Sequence, residues 1–198
     1  MQIPSDREIR ALHEEYAPSA AAFELVYTHC QIVCEVAEQL LSRHDVDLDA
    51  ELVRAGCLLH DIGVYALYGP SGELDHSRYI RHGVLGHALL RGLGFPEVLC
   101  RFCSCHTGVG LSRDDVTTHN LSIPVGDYLA ETGEEELVMF ADKFHSKTDP
   151  PVFVSAASFA VSVARYGADK PARFAALLDR FGEPDLGPLQ AAYGGALV

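Results

Sequence analysis

Apolar residues recur along this chain at intervals of three and four, and hardly anywhere at intervals of two. Leu48, Leu52, Val53, Ala55, Leu58, Leu59 and Ile62 trace one such face and predict a core-facing helix that closes on His60-Asp61-Ile62-Gly63. Ahead of it, Pro4 to Tyr16 predicts a short first helix with Ser5 as its N-cap, and Pro18 interrupts the pattern. Ala20 to His44 predicts a long helix with His29, Val33, Val36 and Leu40 on one face, and Asp45 to Asp49 form the turn out of it. Tyr65 to Asp75, with Gly69, Pro70 and Gly72, reads as a loop. His76 to Leu93 predicts a further helix, Pro96 opens another that reaches His106, and Gly108 and Gly110 break it. Ser112 caps a helix with Asp114 and Asp115 in its first turn, and Asn120 to Tyr128 is a loop. Glu134 to His145 is helical and carries Asp142. After Pro150-Pro151 come a segment from Phe153 to Tyr166, a helix from Pro171 to Phe181, and a Gly/Ala-rich tail expected to be peripheral.

Strand-like alternation is absent over any useful length, and no internal repeat or low-complexity linker interrupts the pattern. The expected fold class is therefore all-α, a single-domain helical bundle. Residues 1–24 form an N-terminal helical segment, 25–150 the main domain, and 151–198 a C-terminal helical extension packed on it. A length of 198 residues suits one domain with a substantial core. The composition, 48% hydrophobic and 22% charged, is that of a globular protein.

A formal net charge of −13 speaks against a nucleic-acid polymer as partner, which requires a basic face, but leaves room for a small anion held by a metal. No stretch approaches a membrane span and Met1 to Arg10 has no signal-peptide pattern, so the expected location is cytoplasmic, with no membrane partner. Oligomeric state is not legible. Six cysteines without a secretory signal read as small buried thiols. Cys100-x-x-Cys103 has no second pair to complete a zinc site, and Cys103-Ser104-Cys105-His106 misses the haem-attachment spacing by one residue.

Burying an imidazole beside a carboxylate, as at His60-Asp61, is costly unless each finds a strong partner. A divalent cation is such a partner, since it takes neutral imidazole nitrogen and carboxylate oxygen together. His29, His60-Asp61, His82, His106 and Asp142 fall on separate predicted helices near apolar positions, which is how helical metal proteins build a centre. Ten histidines also scatter by chance, and His13, His44 and His119 fit that alternative.

The order of these motifs resembles the HD-domain superfamily of metal-dependent phosphohydrolases. His60-Asp61-Ile62-Gly63 matches the HDIG form of its signature, His82-Gly83-Val84-Leu85-Gly86 its third histidine motif, His106-Thr107-Gly108 its fourth, and Ala141-Asp142-Lys143 its final aspartate motif. Together they span roughly residues 25 to 150, and the ordered set is far more specific than any one piece. The chain is similar to small HDIG-related proteins and to dinuclear HD hydrolases that cleave diadenosine polyphosphates. It departs from the pattern at Val64, where many relatives carry a phosphate-facing lysine, and at His87, which follows Gly86. His82 rather than His87 is expected to face the metal, because His-x-x-x-Gly is the family spacing. Five residues on a helix turn the side chain by about 500°, leaving the two about 140° apart.

The resemblance implies an HD-type bundle with a metal site in its core. His29, His60, Asp61 and Asp142 would hold one ion, with Asp61 bridging to a second held by His82 and His106. Iron, manganese, cobalt, nickel or zinc would suit such ligands. Asp61 and Lys143 are the expected catalytic residues, and Lys143, Arg78 and Arg81 the expected substrate contacts. The implied reaction is attack of activated water on phosphorus in a small phosphorylated substrate, such as a nucleotide. Two alternatives remain open, a dinuclear iron oxygenase of the same fold and a non-catalytic metal- or nucleotide-binding regulator. Residues 65–75 and 108–128 leave ligand-bearing helices and are expected to border the entrance, and neither offers a basic stripe or clustered aromatics for a nucleic-acid strand.

Overall fold

In the computed structural model, which describes residues 3–43 and 47–198, several helices start where a side chain can take up their free N–H groups. Ser5 and Glu8 form a reciprocal capping box at the head of α1 (Asp6–Tyr16). Asp49 accepts from the Glu51 and Leu52 amides to start α3 (Ala50–Leu59). Between them α2 (Ala20–Arg43) turns Val26, His29, Cys30, Val33, Ala37 and Leu40 into the core. The expected helix end at His44 and turn at Asp45 lie outside the described residues.

Past α3 the chain differs from the sequence expectation. Ile62–Leu67 tightens into a 3-10 helix where a loop was expected from Tyr65. His76–Arg81 is a second 3-10 helix capped by Asp75, and the α-helix expected from His76 begins only at α4 (His82–Gly92). Both tight turns serve one contact. A methyl group on Gly63 would lie 2.1 Å from the His82 carbonyl oxygen and 2.3 Å from the Gly86 amide nitrogen, so only glycine lets the HDIG turn sit on the start of α4.

The remaining helices are α5 (Glu97–Ser104), α6 (Arg113–Thr118), α7 (Gly133–Ala141), α8 (Ala156–Val163), α9 (Lys170–Phe181) and α10 (Gly187–Tyr193). After α7 the chain makes a 3-10 turn at Asp142–Phe144 instead of continuing helical to His145. It then enters a small sheet of two-residue strands, β1 (His145–Ser146), β2 (Val152–Phe153) and β3 (Ala196–Leu197). The order is β1-β2-β3, with β1 antiparallel and β3 parallel to β2. Short strands like these carry no readable alternation and leave the fold all-α.

The tail is not peripheral. Leu186 and Leu189 are buried, the Asp185 amide donates to the Gln39 side chain at 3.1 Å, and the Tyr193 hydroxyl donates to Glu35 on α2. A cluster of rings fastens the C-terminal helices to α7: Phe140 stands 5.6 Å from Phe174, and Phe174 stands 4.7 Å from Phe159. Among the described residues no helix is long and apolar enough to cross a membrane.

Candidate metal centre

Five of the six expected ligands stand where a helix ends or changes pitch. His60 caps α3, Asp61 precedes the 3-10 turn, His82 joins 3-10 helix to α4, His106 follows α5, and Asp142 follows α7. His29 alone is in mid-helix, on α2. The structure brings all six together in two groups that share Asp61, each group with its donor atoms within 4.8 Å of one another. In the first, His29 Nε2 lies 2.9 Å from Asp142 Oδ1 and 3.3 Å from Asp61 Oδ2, and His60 Nε2 lies 3.5 Å from each of these oxygens. In the second, His82 Nε2 and His106 Nε2 face each other at 2.9 Å, each 3.6 Å from Asp61 Oδ1.

Hydrogen bonds assign the tautomers. The Nδ1 of His60 is 2.7 Å from the Cys57 carbonyl, that of His82 is 2.6 Å from Tyr79 O, and that of His106 is 3.0 Å from Phe102 O. A carbonyl only accepts, so each Nδ1 carries the proton, and in its neutral form each ring turns a lone pair on Nε2 toward the centre. His82 and His106 are neutral at ordinary pH, since burial pushes the His82 pKa down to about 4 and lowers that of His106 as well. Two imidazole lone pairs and the carboxylate oxygen Asp61 Oδ1 thus converge with no proton among them. Asp61 Oδ1 is a fully buried side-chain atom that has no hydrogen-bond partner among the described residues. Such a trio is unfavourable unless a cation sits among the three atoms, so the donor set fits a divalent metal.

Electrostatics at the first group run the other way. Burial opposes charge on His60, but Asp61 and Asp142 outweigh it and raise its pKa well above the ordinary value. Burial likewise works against both carboxylates, yet Lys147 beside Asp61 and Lys143 beside Asp142, with the histidines, hold both well below the usual range. His145 completes the ring of support, its Nδ1 lying 2.8 Å from His29 Nδ1, and burial drops its pKa to about 3. A His29 that turns its Nε2 lone pair inward donates from Nδ1, and neutral His145 is the acceptor.

A cavity of about 800 Å³ opens onto Asp61, His82, His106 and Asp142. Its walls come from Tyr79 and Ile80, from residues 107–111 with His119 and Leu121, and from Phe159 to Lys170 of the C-terminal extension. Residues 65–75, expected at the entrance, contribute nothing to the lining, while part of 108–128 does. Lys143 lies in the cavity wall, its Nζ 2.6 Å from Asp142 Oδ2 and 3.0 Å from the His106 carbonyl. Arg78 and Arg81 are not brought to this cavity; the Arg78 side chain is half exposed and 4.0 Å from Asp75. His87 points away from the centre, with Nδ1 2.9 Å from Ser104 Oγ.

The sequence reading passed over Lys147, whose ammonium bonds Asp61 Oδ2. One signal was available: the chain has three lysines, Lys143, Lys147 and Lys170, and all three line this cavity. The six cysteines are free and buried.

Residues 26–147 match the HD domain family. The chain belongs to that family. Among similar proteins, an uncharacterized protein of Methanocaldococcus jannaschii is 38% identical over 122 residues, covering 60% of this chain and 65% of that protein. A tRNA (cytidine(56)-2'-O)-methyltransferase of Picrophilus torridus is 31% identical over 65% of this chain but only 33% of its own length. The chain therefore spans less than two thirds of these relatives. The HD domain of the L. monocytogenes phosphodiesterase PgpH superposes with a TM-score of 0.57 over 95% of this chain and all of that one. At 16% identity that likeness establishes the HD fold. The same domain in complex with cyclic-di-AMP superposes with a TM-score of 0.55 over 93% of this chain and 96% of that one.

Proposed function

We propose that this HD protein is a metal-dependent phosphohydrolase acting on a small phosphorylated molecule such as a nucleotide. The observation that carries the reading is the unprotonated trio of Asp61 Oδ1, His82 Nε2 and His106 Nε2, three electron-pair donors aimed at one point on the floor of a cavity. His29, His60, Asp61 and Asp142 would hold one divalent cation, and Asp61, His82 and His106 a second. A cation pair in such a set supplies Lewis-acid chemistry, acidifying water and drawing charge from phosphoryl oxygens.

The chain's own residues account for the rest. Lys143 fixes the Asp142 carboxylate through Oδ2, leaving Oδ1 turned toward His29 and His60. The backbone carbonyls behind His60, His82 and His106 hold those rings in the tautomer and orientation that ligation needs. Cations for an anionic substrate gather at one cavity: a chain of net charge −13 directs its three lysines and Arg165 there, with the lysines paired to Asp142, Asp61 and Asp115. Arg165 stacks 4.8 Å from the Tyr166 ring at the outer wall, where a base or second phosphate of a nucleotide would lie. A cavity of about 800 Å³ suits a mononucleotide or dinucleotide. PgpH, which shares the fold, is a phosphodiesterase whose HD domain has been crystallised with a cyclic dinucleotide, and this agrees with the size and charge of the cavity.

The test is phosphate or nucleotide release from a panel of mononucleotides, linear and cyclic dinucleotides and simple phosphoesters, using protein reconstituted with manganese, cobalt or iron. Turnover of at least one small substrate that is abolished by chelation is expected. Absence of turnover with every metal, or faster cleavage of an oligonucleotide than of any small substrate, would overturn the proposal. Oxygen consumption by the iron form in place of phosphate release would assign the same centre to an oxygenase.

A further inference from the structure

Lys147 is a largely covered ammonium on the oxygen that a metal would need. Its Nζ bonds Asp61 Oδ2, and that oxygen also faces His29 Nε2 at 3.3 Å and His60 Nε2 at 3.5 Å. The lysine therefore stands at the mouth of the four-ligand group, and its side chain is only 10% exposed. It is also in the cavity lining, and its Nζ lies 6.0 Å from the centre of the Tyr79 ring, which lines the same cavity. Lys143 differs from it. Lys143 holds Asp142 through Oδ2, on the far side from the oxygen that meets His29, and also bonds the His106 carbonyl, so ligation by Oδ1 leaves its contacts intact.

We propose that Lys147 is a resident cation of Asp61, displaced when metal loads and then free to donate to a phosphoryl oxygen of the substrate.

Charge accounting leads to this. Each carboxylate of the centre is paired with an ammonium group, Asp61 with Lys147 and Asp142 with Lys143. A divalent ion ligated by Asp61 Oδ2 takes the lone pair that Lys147 occupies and repels its charge. A lysine is a compact charge on a flexible four-carbon stem, so it can leave one oxygen without moving its backbone. Nearby, the Tyr79 ring offers it one resting place, and an anion entering the cavity that Tyr79 and Lys147 both line would offer a second. An anionic substrate then gives the displaced ammonium a partner, so metal and substrate favour each other's binding through one side chain.

This inference rests on the metal-centre reading above, and its test reads metal binding instead of turnover. Metal-free wild-type protein, Lys147→Met and Lys147→Gln are titrated with Mn²⁺ by calorimetry, with and without inorganic phosphate. Folding of each variant is checked by its thermal transition, and the two replacements guard against the failure of either one. Removing the competing ammonium should tighten Mn²⁺ binding by about tenfold in the absence of phosphate. The enhancement of Mn²⁺ affinity by phosphate should shrink in both variants relative to wild type. Unchanged or weaker Mn²⁺ binding in both variants overturns the inference, because the lysine would then only prop Asp61 in place. Failure of wild type and variants alike to bind Mn²⁺ overturns the metal-centre reading itself, and this inference with it.

Discussion

Gly63→Ala tests how the two halves of the centre are held together. The added methyl would lie 2.1 Å from the His82 carbonyl oxygen, 2.3 Å from the Gly86 nitrogen and 2.7 Å from the Gly86 Cα, whereas ordinary contact begins at 3.4 Å. All three atoms are backbone, so no rotamer change relieves the clash, and the HDIG turn must separate from the head of α4 by about 1.3 Å (3.4 minus 2.1). Overpacking of this kind costs about 1–3 kcal/mol. For a chain of this size that is a fall in Tm of roughly 2–12 °C. The displaced residue is one of the proposed ligands: His82 Nε2 is 2.9 Å from His106 Nε2 and 3.6 Å from Asp61 Oδ1, and a shift above 1 Å breaks the convergence. Turnover should fall by about a hundredfold, the usual penalty for an ångström of misplacement. Calorimetric titration with Mn²⁺ should show weaker binding at the His82–His106 group. Gly92→Ala is the control, because nothing lies within 4 Å of a methyl there. The packing argument fails if Gly63→Ala melts within about 2 °C of wild type, a sub-kilocalorie change, and binds Mn²⁺ unaltered.

His82→Ala should lose one of the bound metal ions by elemental analysis, whereas His87→Ala, whose ring bonds Ser104, should keep wild-type metal content. His145→Ala removes the acceptor behind His29 Nδ1 and should weaken Mn²⁺ binding by about 10- to 100-fold, read by calorimetry. Stability should also depend on pH through His13, which is buried against Leu58 O and Tyr65 Oη and whose pKa burial lowers from 6.5 to about 4. The unfolded chain binds this proton first as pH falls, so His13 should cost up to about 3 kcal/mol progressively between pH 6.5 and 4, with no further loss below. Urea unfolding across that range should show a slope about one proton shallower in His13→Gln, and equal slopes would refute the assignment.

Helix identity was legible because it is written in periodic burial. The faces of α2 and α3 and the caps at Ser5 and Ser112 follow from side-chain spacing and from the need of first-turn amides for an acceptor. What the spacing could not carry is any element shorter than its own period. The 3-10 turns at Ile62–Leu67 and His76–Arg81 repeat at three and are too brief to show it, so one was read as loop and the other as helix. The two-residue strands depend on partners such as Val152 and Ala196, which only the folded chain brings together. The tail was misjudged for a related reason: its Gly/Ala composition hides Leu186 and Leu189, which are buried in the folded chain, and Asp185 beside them bonds Gln39 of α2 across 146 residues.

The ligand types were legible, but the reason they work lies in where the helices stop. The last turn of a helix leaves carbonyls without an intrahelical partner. His60 takes the carbonyl three residues back at Cys57, His82 takes Tyr79 in the same relation, and His106 takes Phe102 four residues back. Each helix end thus supplies the acceptor that pins Nδ1–H, and the pinned ring can only offer Nε2 inward. A histidine in mid-helix has no such carbonyl to use, because the helix ladder already occupies it. His29 is that case, and its Nδ1 is met instead by the side chain of His145, from 116 residues away in the chain. Lys147 reaches Asp61 across 86 residues by the same logic of tertiary pairing. Local geometry therefore orients three of the four histidines in the centre, and these could be read once the helix ends were known. The fourth histidine and the ammonium beside Asp61 depend on the strand that follows Asp142, so no local pattern announces them.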